Sequence, residues 1–291
     1  IFNPARVKLE AMRAEMPMKY WKNLPEAALI PGLTAGAAGR VQEMVERGVN
    51  SDRGHVSEKR PAGAAAGGAV ERVIVEPAEV LERAAEMSLG ELRNAVDCCR
   101  ACPLWEGATQ AVGGEGNEAA EVMLVGEQPG DQEDVAGRVF VGPAGRLLDE
   151  ALEAAGLRRG DLYLTNAVKH FKWKPAERGK RRLHDKANAA EVAHCRPWML
   201  AEVVRIRPRV IVALGATAAG ALLGRHVTIG SERGWAERVP EGLGARVLIT
   251  THPSFVLRCQ DPGERGRAFA GLVDDLKRLG GGLGGVGETG A

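Results

Sequence analysis

Between about residue 80 and residue 278 the chain alternates two kinds of apolar pattern. Short runs dense in Val, Ile and Leu read as strands buried on both faces: EVMLVGE (121–127), DLYLTNAV (161–168), RVIVALG (209–215) and RVLITTH (246–252). Between them lie stretches with apolar residues three and four apart and glycine near an end, which predict helices: AGRLLDEALEAAG (144–156), NAAEVAHCRPWMLAEVVRI (188–206) and GATAAGALLG (215–224). This alternation predicts a three-layer α/β/α domain around a central, mainly parallel, four-stranded sheet. Residues 1–48 hold a mixed stretch with aromatic and apolar residues, too short to bury a core alone, and are expected to be the remnant of an upstream domain. Residues 49–79, with PAGAAAGGAV, lack hydrophobic periodicity and are expected to be a flexible linker. The folded domain then spans 80–278, and the glycine-rich 279–291 is expected to be disordered.

With 39 Lys and Arg against 38 Asp and Glu, the chain as a whole exerts no pull on a polyanion. The distribution changes that. Lys169 to Lys186, KHFKWKPAERGKRRLHDK, holds eight cations and two acids, a local net of +6. Such a run is the footprint of a nucleic-acid contact, or simply a solvated basic loop. No run of about 18 apolar residues occurs, and the amino end, Ile-Phe-Asn-Pro, has no leader pattern. A soluble, intracellular monomer, cytoplasmic and nucleoid-associated, with no membrane contact, is expected. Beginning on Ile1 rather than Met, the chain reads as a fragment or a processed product. Five cysteines, an odd number, suggest free thiols or metal ligands rather than disulfides.

In open α/β sheets chemistry collects beyond the carboxyl ends of the strands. There the sequence places Glu127, Gln128, Asp131 and Asp134 after the first strand, Asn166, Lys169 and His170 at and after the second, and His252 and Ser254 after the last. Each has an ordinary reading: Phe140 as core filler, Asn166 as a strand-end cap, His252 as a satisfied loop histidine. In order, however, GEQPGDQEDVAGRVFVGPAG (126–145) and THPSFVLR (251–258) resemble the two active-site motifs of the family 4 uracil-DNA glycosylases, a resemblance covering about residues 86–278. It implies the uracil-DNA glycosylase-like fold and uracil-containing DNA as partner. By this resemblance Phe140 stacks on a flipped uracil, Asn166 hydrogen-bonds its edge, and His252 stabilises the charge developing on the departing base.

Within that family, GKRRLH (179–184), together with the spellings GEQPGDQED and AVKHF, resembles the UdgX group, whose loop histidine bonds covalently to DNA. The resemblance implies that His184 captures C1′ once uracil has left, with Glu127 orienting it and taking its proton. Gln128 and either Asp131 or Asp134 would position sugar and base, Lys169, Lys180, Arg181 and Arg182 would hold the loop on phosphates, and Ser254 and Arg258 would contact backbone near the lesion. Arg138 and Val139 depart from the usual small-Pro spelling before Phe140. In the family four cysteines hold a [4Fe–4S] cluster; here Cys99, Cys102 and Cys195 would be joined by His170, which stands where the family has a cysteine. Three Cys and one His equally suit zinc. AMRAEMPMKYWKNLPEA (11–27) resembles the end of a DNA-metabolism domain fused ahead of UdgX-like domains. Three activities follow for comparison: a glycosylase trapped through His184, single-stranded DNA preferred; a turnover glycosylase; and a non-catalytic iron–sulfur DNA-binding protein.

Overall fold

The computed structural model describes residues 77–176 and 182–282. The expected upstream remnant and residues 49–76 of the expected linker lie outside the described residues, as do 177–181 and 283–291. In chain order the elements are helices α1 (Pro77–Arg83), α2 (Leu89–Asp97) and α3 (Leu104–Gly107), strands β1 (Glu115–Gly116) and β2 (Val122–Gly126), and helices α4 (Asp131–Ala136) and α5 (Pro143–Ala154). A 3-10 turn (Arg159–Asp161) leads into β3 (Tyr163–Asn166), β4 (Trp173–Pro175) and β5 (Arg182–His184). Helix α6 (Ala189–Ile206), β6 (Val210–Leu214), α7 (Ala216–Leu223), α8 (Ile229–Glu232), β7 (Gly234–Trp235), β8 (Arg246–Thr250), α9 (Pro253–Arg258) and α10 (Pro262–Gly282) follow.

Four parallel strands in the order β3-β2-β6-β8 form the centre of the sheet. Two short strands, β1 and β7, add antiparallel edges and bring the sheet to six. The sequence expectation of four strands omits them because two residues give no period to read. Successive side chains of a strand point to opposite faces, and the core divides accordingly. Met123, Val125, Ile211, Ala213, Val247 and Ile249 pack against α1, α2, α6 and α7, whereas Val122, Leu124, Val210, Val212 and Leu248 pack against α5, α9 and α10. Both faces are covered, which is why these strands read as unbroken apolar runs.

The helices read from periodicity form within two residues of expectation. Asn188 caps α6 by accepting from Glu191 N, whose carboxylate returns the bond, and Gly224 ends α7 in the left-handed region. Helix α1 takes in residues 77–79, the last three of the expected linker, and α10 continues through Gly282, into the expected tail. Six glycines weaken the helical propensity of α10, but Leu272, Val273, Leu276 and Leu279 form a buried stripe against the sheet, and tertiary packing overrides propensity. The basic stretch folds into a second, two-stranded sheet. Strands β4 and β5 pair antiparallel with Trp173 opposite His184, so the expected loop is a hairpin.

Candidate active site

The chain runs from β2 to β3 on one side and from β6 to β8 on the other, so the order reverses between β2 and β6. In doubly wound sheets a crevice opens at that point, at the carboxyl ends. Glu127, just past β2, bridges it: its Oε2 accepts from Thr217 Oγ1, at the start of α7, at 3.0 Å, while Oε1 is buried without a partner. Gln128 Oε1 and Thr251 Oγ1 are the other buried side-chain atoms without partners among the described residues. All three belong to residues directly beyond strand ends, where polar groups without partners point to a bound molecule.

Phe140 and Asn166 converge over Gly126. A methyl group on Gly126 would collide with Asn166 Oδ1 and would lie 2.7 Å from Phe140 Cζ, so glycine there keeps the floor open for a ring and an amide. Both side chains are buried. The Phe140 ring lies 6.4 Å from that of His252, tilted by 31°. His252 in turn rests over Gly215, whose φ of +93° brings the end of β6 beneath it.

The tautomer of His252 follows from its partners. Nδ1 accepts from Ser254 N at 3.1 Å and faces Ser254 Oγ at 2.8 Å, while Ser254 Oγ accepts from the Arg258 guanidinium. With Nδ1 accepting, the proton sits on Nε2, which becomes a donor. Burial first, then Arg258 and then His184, push the His252 pKa down to about 4, so the ring is neutral at physiological pH. Ser254, expected to contact DNA, is thus engaged in orienting this imidazole, and Arg258 is exposed beside it.

The hairpin brings His184 to the same crevice, near enough to count among the groups that lower the His252 pKa. Gln128 makes the contact: its Nε2 donates to the carbonyls of Lys172 and Asp185 and lies 3.1 Å from His184 Nε2. The two amide protons go to those carbonyls, so the contact with His184 fixes the position of the ring and not its tautomer. Glu127 itself is turned to Thr217, and its neighbour Gln128 is the residue that reaches His184.

Arg182 is also corrected. It is 18% exposed in its side chain and donates to Asp131 and to the fully buried Asp134 at 2.6 Å each, with its guanidinium 5.3 Å and 5.7 Å from the ring centroids of Phe171 and Trp173. Thr109 N also donates to Asp134. Both acids therefore latch the hairpin rather than face a sugar, and Arg182 is not free for phosphate. Trp173 Nε1 ties the hairpin to Gly107 O at 2.6 Å. Lys169 is fully buried, donating to Glu202, Thr165 Oγ1 and Asn166 O, so it cannot touch DNA. Lys172 pairs with Glu191. Of the eight cations, Lys174 and Lys186 are exposed, and Lys180, Arg181 and Arg178 lie outside the described residues. Sequence reasoning missed Thr217, Phe171 and Trp173; alternating FKWKP and KRRLH around a central glycine was the available hairpin cue.

Cys99, Cys102 and Cys195 are buried and free. Trp198 Nε1 donates to Cys99 Sγ and Lys169 N to Cys195 Sγ, each at 3.1 Å. Burial pushes the Cys195 thiol up to about 12 and raises Cys102, and it pushes buried His170 down to about 4, leaving a neutral imidazole. Among the described residues no three His, Cys, Asp or Glu converge on one metal ion. A four-iron cluster spreads its ligands over separate irons, and three buried thiols, two of them receiving N–H bonds, fit that demand. Cys98 and Cys259 are half-buried.

A doubly wound sheet with a ring, an amide and a neutral imidazole donor at its switch point is a base-recognition architecture. The chain belongs to the uracil-DNA glycosylase superfamily, whose profile, described as "Uracil DNA glycosylase superfamily", matches residues 114–277. It is similar to the type-4 uracil-DNA glycosylase of Pyrobaculum aerophilum, 40% identical over 178 residues, covering 59% of this chain and 86% of that protein. The type-4 enzymes of Thermotoga maritima (41% over 165 residues, 55% and 78% covered) and Archaeoglobus fulgidus (37% over 175 residues, 58% and 83%) are similarly related.

Proposed function

We propose that the protein excises uracil from DNA and that His184 then bonds to C1′ of the sugar left behind, as in the UdgX group. Flipped into the crevice, uracil stacks on Phe140 and offers its Watson–Crick edge to Asn166. The C1′–N1 bond breaks and its electron pair leaves with the base. The neutral His252 Nε2–H donates to the carbonyl oxygen on which that charge collects, stabilising it without proton transfer. The sugar cation is then captured by the nearest nucleophile.

The observation that carries the trapping reading is the Gln128 amide on His184. It holds the ring in the crevice. A positioned imidazole outcompetes water through proximity. The unprotonated ring nitrogen bonds C1′ through its lone pair, and the proton on the other nitrogen is shed to solvent or to Glu127, whose Oε1 has no partner. Single-stranded DNA is the preferred substrate, since no base pair has to be opened. An iron–sulfur cluster held by Cys99, Cys102, Cys195 and His170 would bind the amino-terminal helices to α6 and serve the fold rather than the reaction.

The test is direct. Purified protein and a uracil oligonucleotide give a band that survives denaturing electrophoresis, and His184→Ala abolishes that band while uracil is still released. A free abasic strand with no adduct from the unaltered protein would identify a turnover enzyme in which His184 only assists.

A further inference from the structure

Phe140 is held in an unusual way. Its φ of +52° lies in the left-handed region, one of two such non-glycine positions among the described residues, and β-carbon crowding makes that region unfavourable. A bulky aromatic residue stays there only where its surroundings over-determine it. Two features do so. Gly145, in the first turn of α5, has no Cβ, and one would collide with the Phe140 carbonyl. Arg159, on the 3-10 turn before β3, donates to two consecutive carbonyls, Val139 O at 2.9 Å and Phe140 O at 3.3 Å. Its guanidinium is held in that pose by Asp149 at 2.8 Å and by Glu115 at 3.3 Å, and Glu115 also pairs with Arg138. The residues that depart from the usual spelling before Phe140 thus sit inside this network.

We infer that Arg159, outside both active-site motifs, is a positioning residue for uracil recognition: its fork pins the Val139–Phe140 backbone so that the strained Phe140 ring stands over Gly126 where a base would stack. The inference rests on the reading of Phe140 as the stacking ring. Lys in its place could not reproduce the arrangement, because a point-charge ammonium cannot bridge two carbonyls and two carboxylates in one plane.

Single-turnover uracil release, measured over a range of protein concentrations, tests it in a double-mutant cycle. Arg159→Gln is expected to slow uracil release about tenfold, equivalent to about 1.4 kcal/mol, while binding to a uracil-free oligonucleotide stays unchanged. In a Phe140→Ala background the same substitution should have no further effect, since the ring it positions is gone. Arg159→Lys, which keeps a positive charge beside Asp149 and Glu115 but loses the fork, is expected to fold and to lose part of the rate should Arg159→Gln prove unstable. An equal loss with and without Phe140, or an unaltered rate in Arg159→Lys and Arg159→Gln, overturns the inference. If Phe140→Ala alone releases uracil normally, the stacking role itself falls.

Discussion

Replacing Arg182 by Ala separates base excision from capture. Its bond to Asp134 is made with a carboxylate that is fully buried, and charge-assisted bonds of this kind contribute about 1.5–3 kcal/mol. The arm to Asp131 is half-exposed and adds less than about 1 kcal/mol, and the contact with buried Phe171 adds about 0.5 kcal/mol. Together these weaken hairpin docking by about 3 kcal/mol, or roughly a hundredfold in its closed-to-open ratio. Gln128 reads His184 only through the docked hairpin, whereas Phe140, Asn166 and His252 stand on the main sheet. In single-turnover reactions with a uracil oligonucleotide, Arg182→Ala should release uracil within a few-fold of the unaltered rate. The adduct on a denaturing gel should fall in favour of abasic strand, by about tenfold where the unaltered hairpin favours the docked pose by about tenfold. Amide exchange at Asp185, whose N–H donates to Lys172 O across the hairpin, should quicken in parallel. Full adduct yield despite faster exchange at Asp185 would refute the claim that docking positions His184.

Other outcomes follow from the same geometry. His252 has its pKa depressed from 6.5 to about 4, so between these values the unfolded chain binds the proton that the folded one refuses; the stability this group contributes is whole above 6.5 and is lost as pH falls toward 4. Arg258→Ala, removing the second cause of that depression, should move the acid limb of uracil release to higher pH in a pH–rate profile. Lys169→Met leaves Glu202 buried without its cation, and urea denaturation should show a loss of about 3–5 kcal/mol with no change in the salt dependence of DNA binding. His170→Ala should lower iron content and visible absorption of the purified protein, and Cys98→Ala should leave both unchanged.

The four central strands and the helices α5, α6 and α7 were legible because strand burial on both faces and the 3.6-residue stripe leave direct marks in the chain. The edge strands were not, since a two-residue ladder is defined by its neighbour and not by its own residues. The site divided along a similar line. Residues just past strand ends, Glu127, Asn166 and His252, could be picked from chain position, because the sheet places them together whatever the loops do. What each touches could not, because contacts between loops depend on how the hairpin folds back. Glu127 and Gln128 are adjacent in sequence but emerge in different directions, so nothing local decides which meets His184. Lys169 shows the reverse error: in a run of eight cations it counts as one more positive charge, yet it begins the turn after β3 and points into the core at Glu202.

Charge counting therefore overstates the basic stretch as an electrostatic surface. Of the five cations described, Lys169, Lys172 and Arg182 are each matched to an acid of the protein, two of them at 2.7 Å or less. Those pairs are what give the hairpin a fixed position, and a fixed position is what a capturing histidine needs, since its advantage over water lies in being held. Among the described cations of the stretch, Lys174 and Lys186 are the exposed ones, on the hairpin and its carboxyl-terminal flank. The same stretch of sequence thus divides its charges, with Arg182 anchoring the His184 strand from within and Lys174 and Lys186 turned outward. A hairpin of equal charge but without the Asp131 and Asp134 partners would bind strands as well and capture few of them.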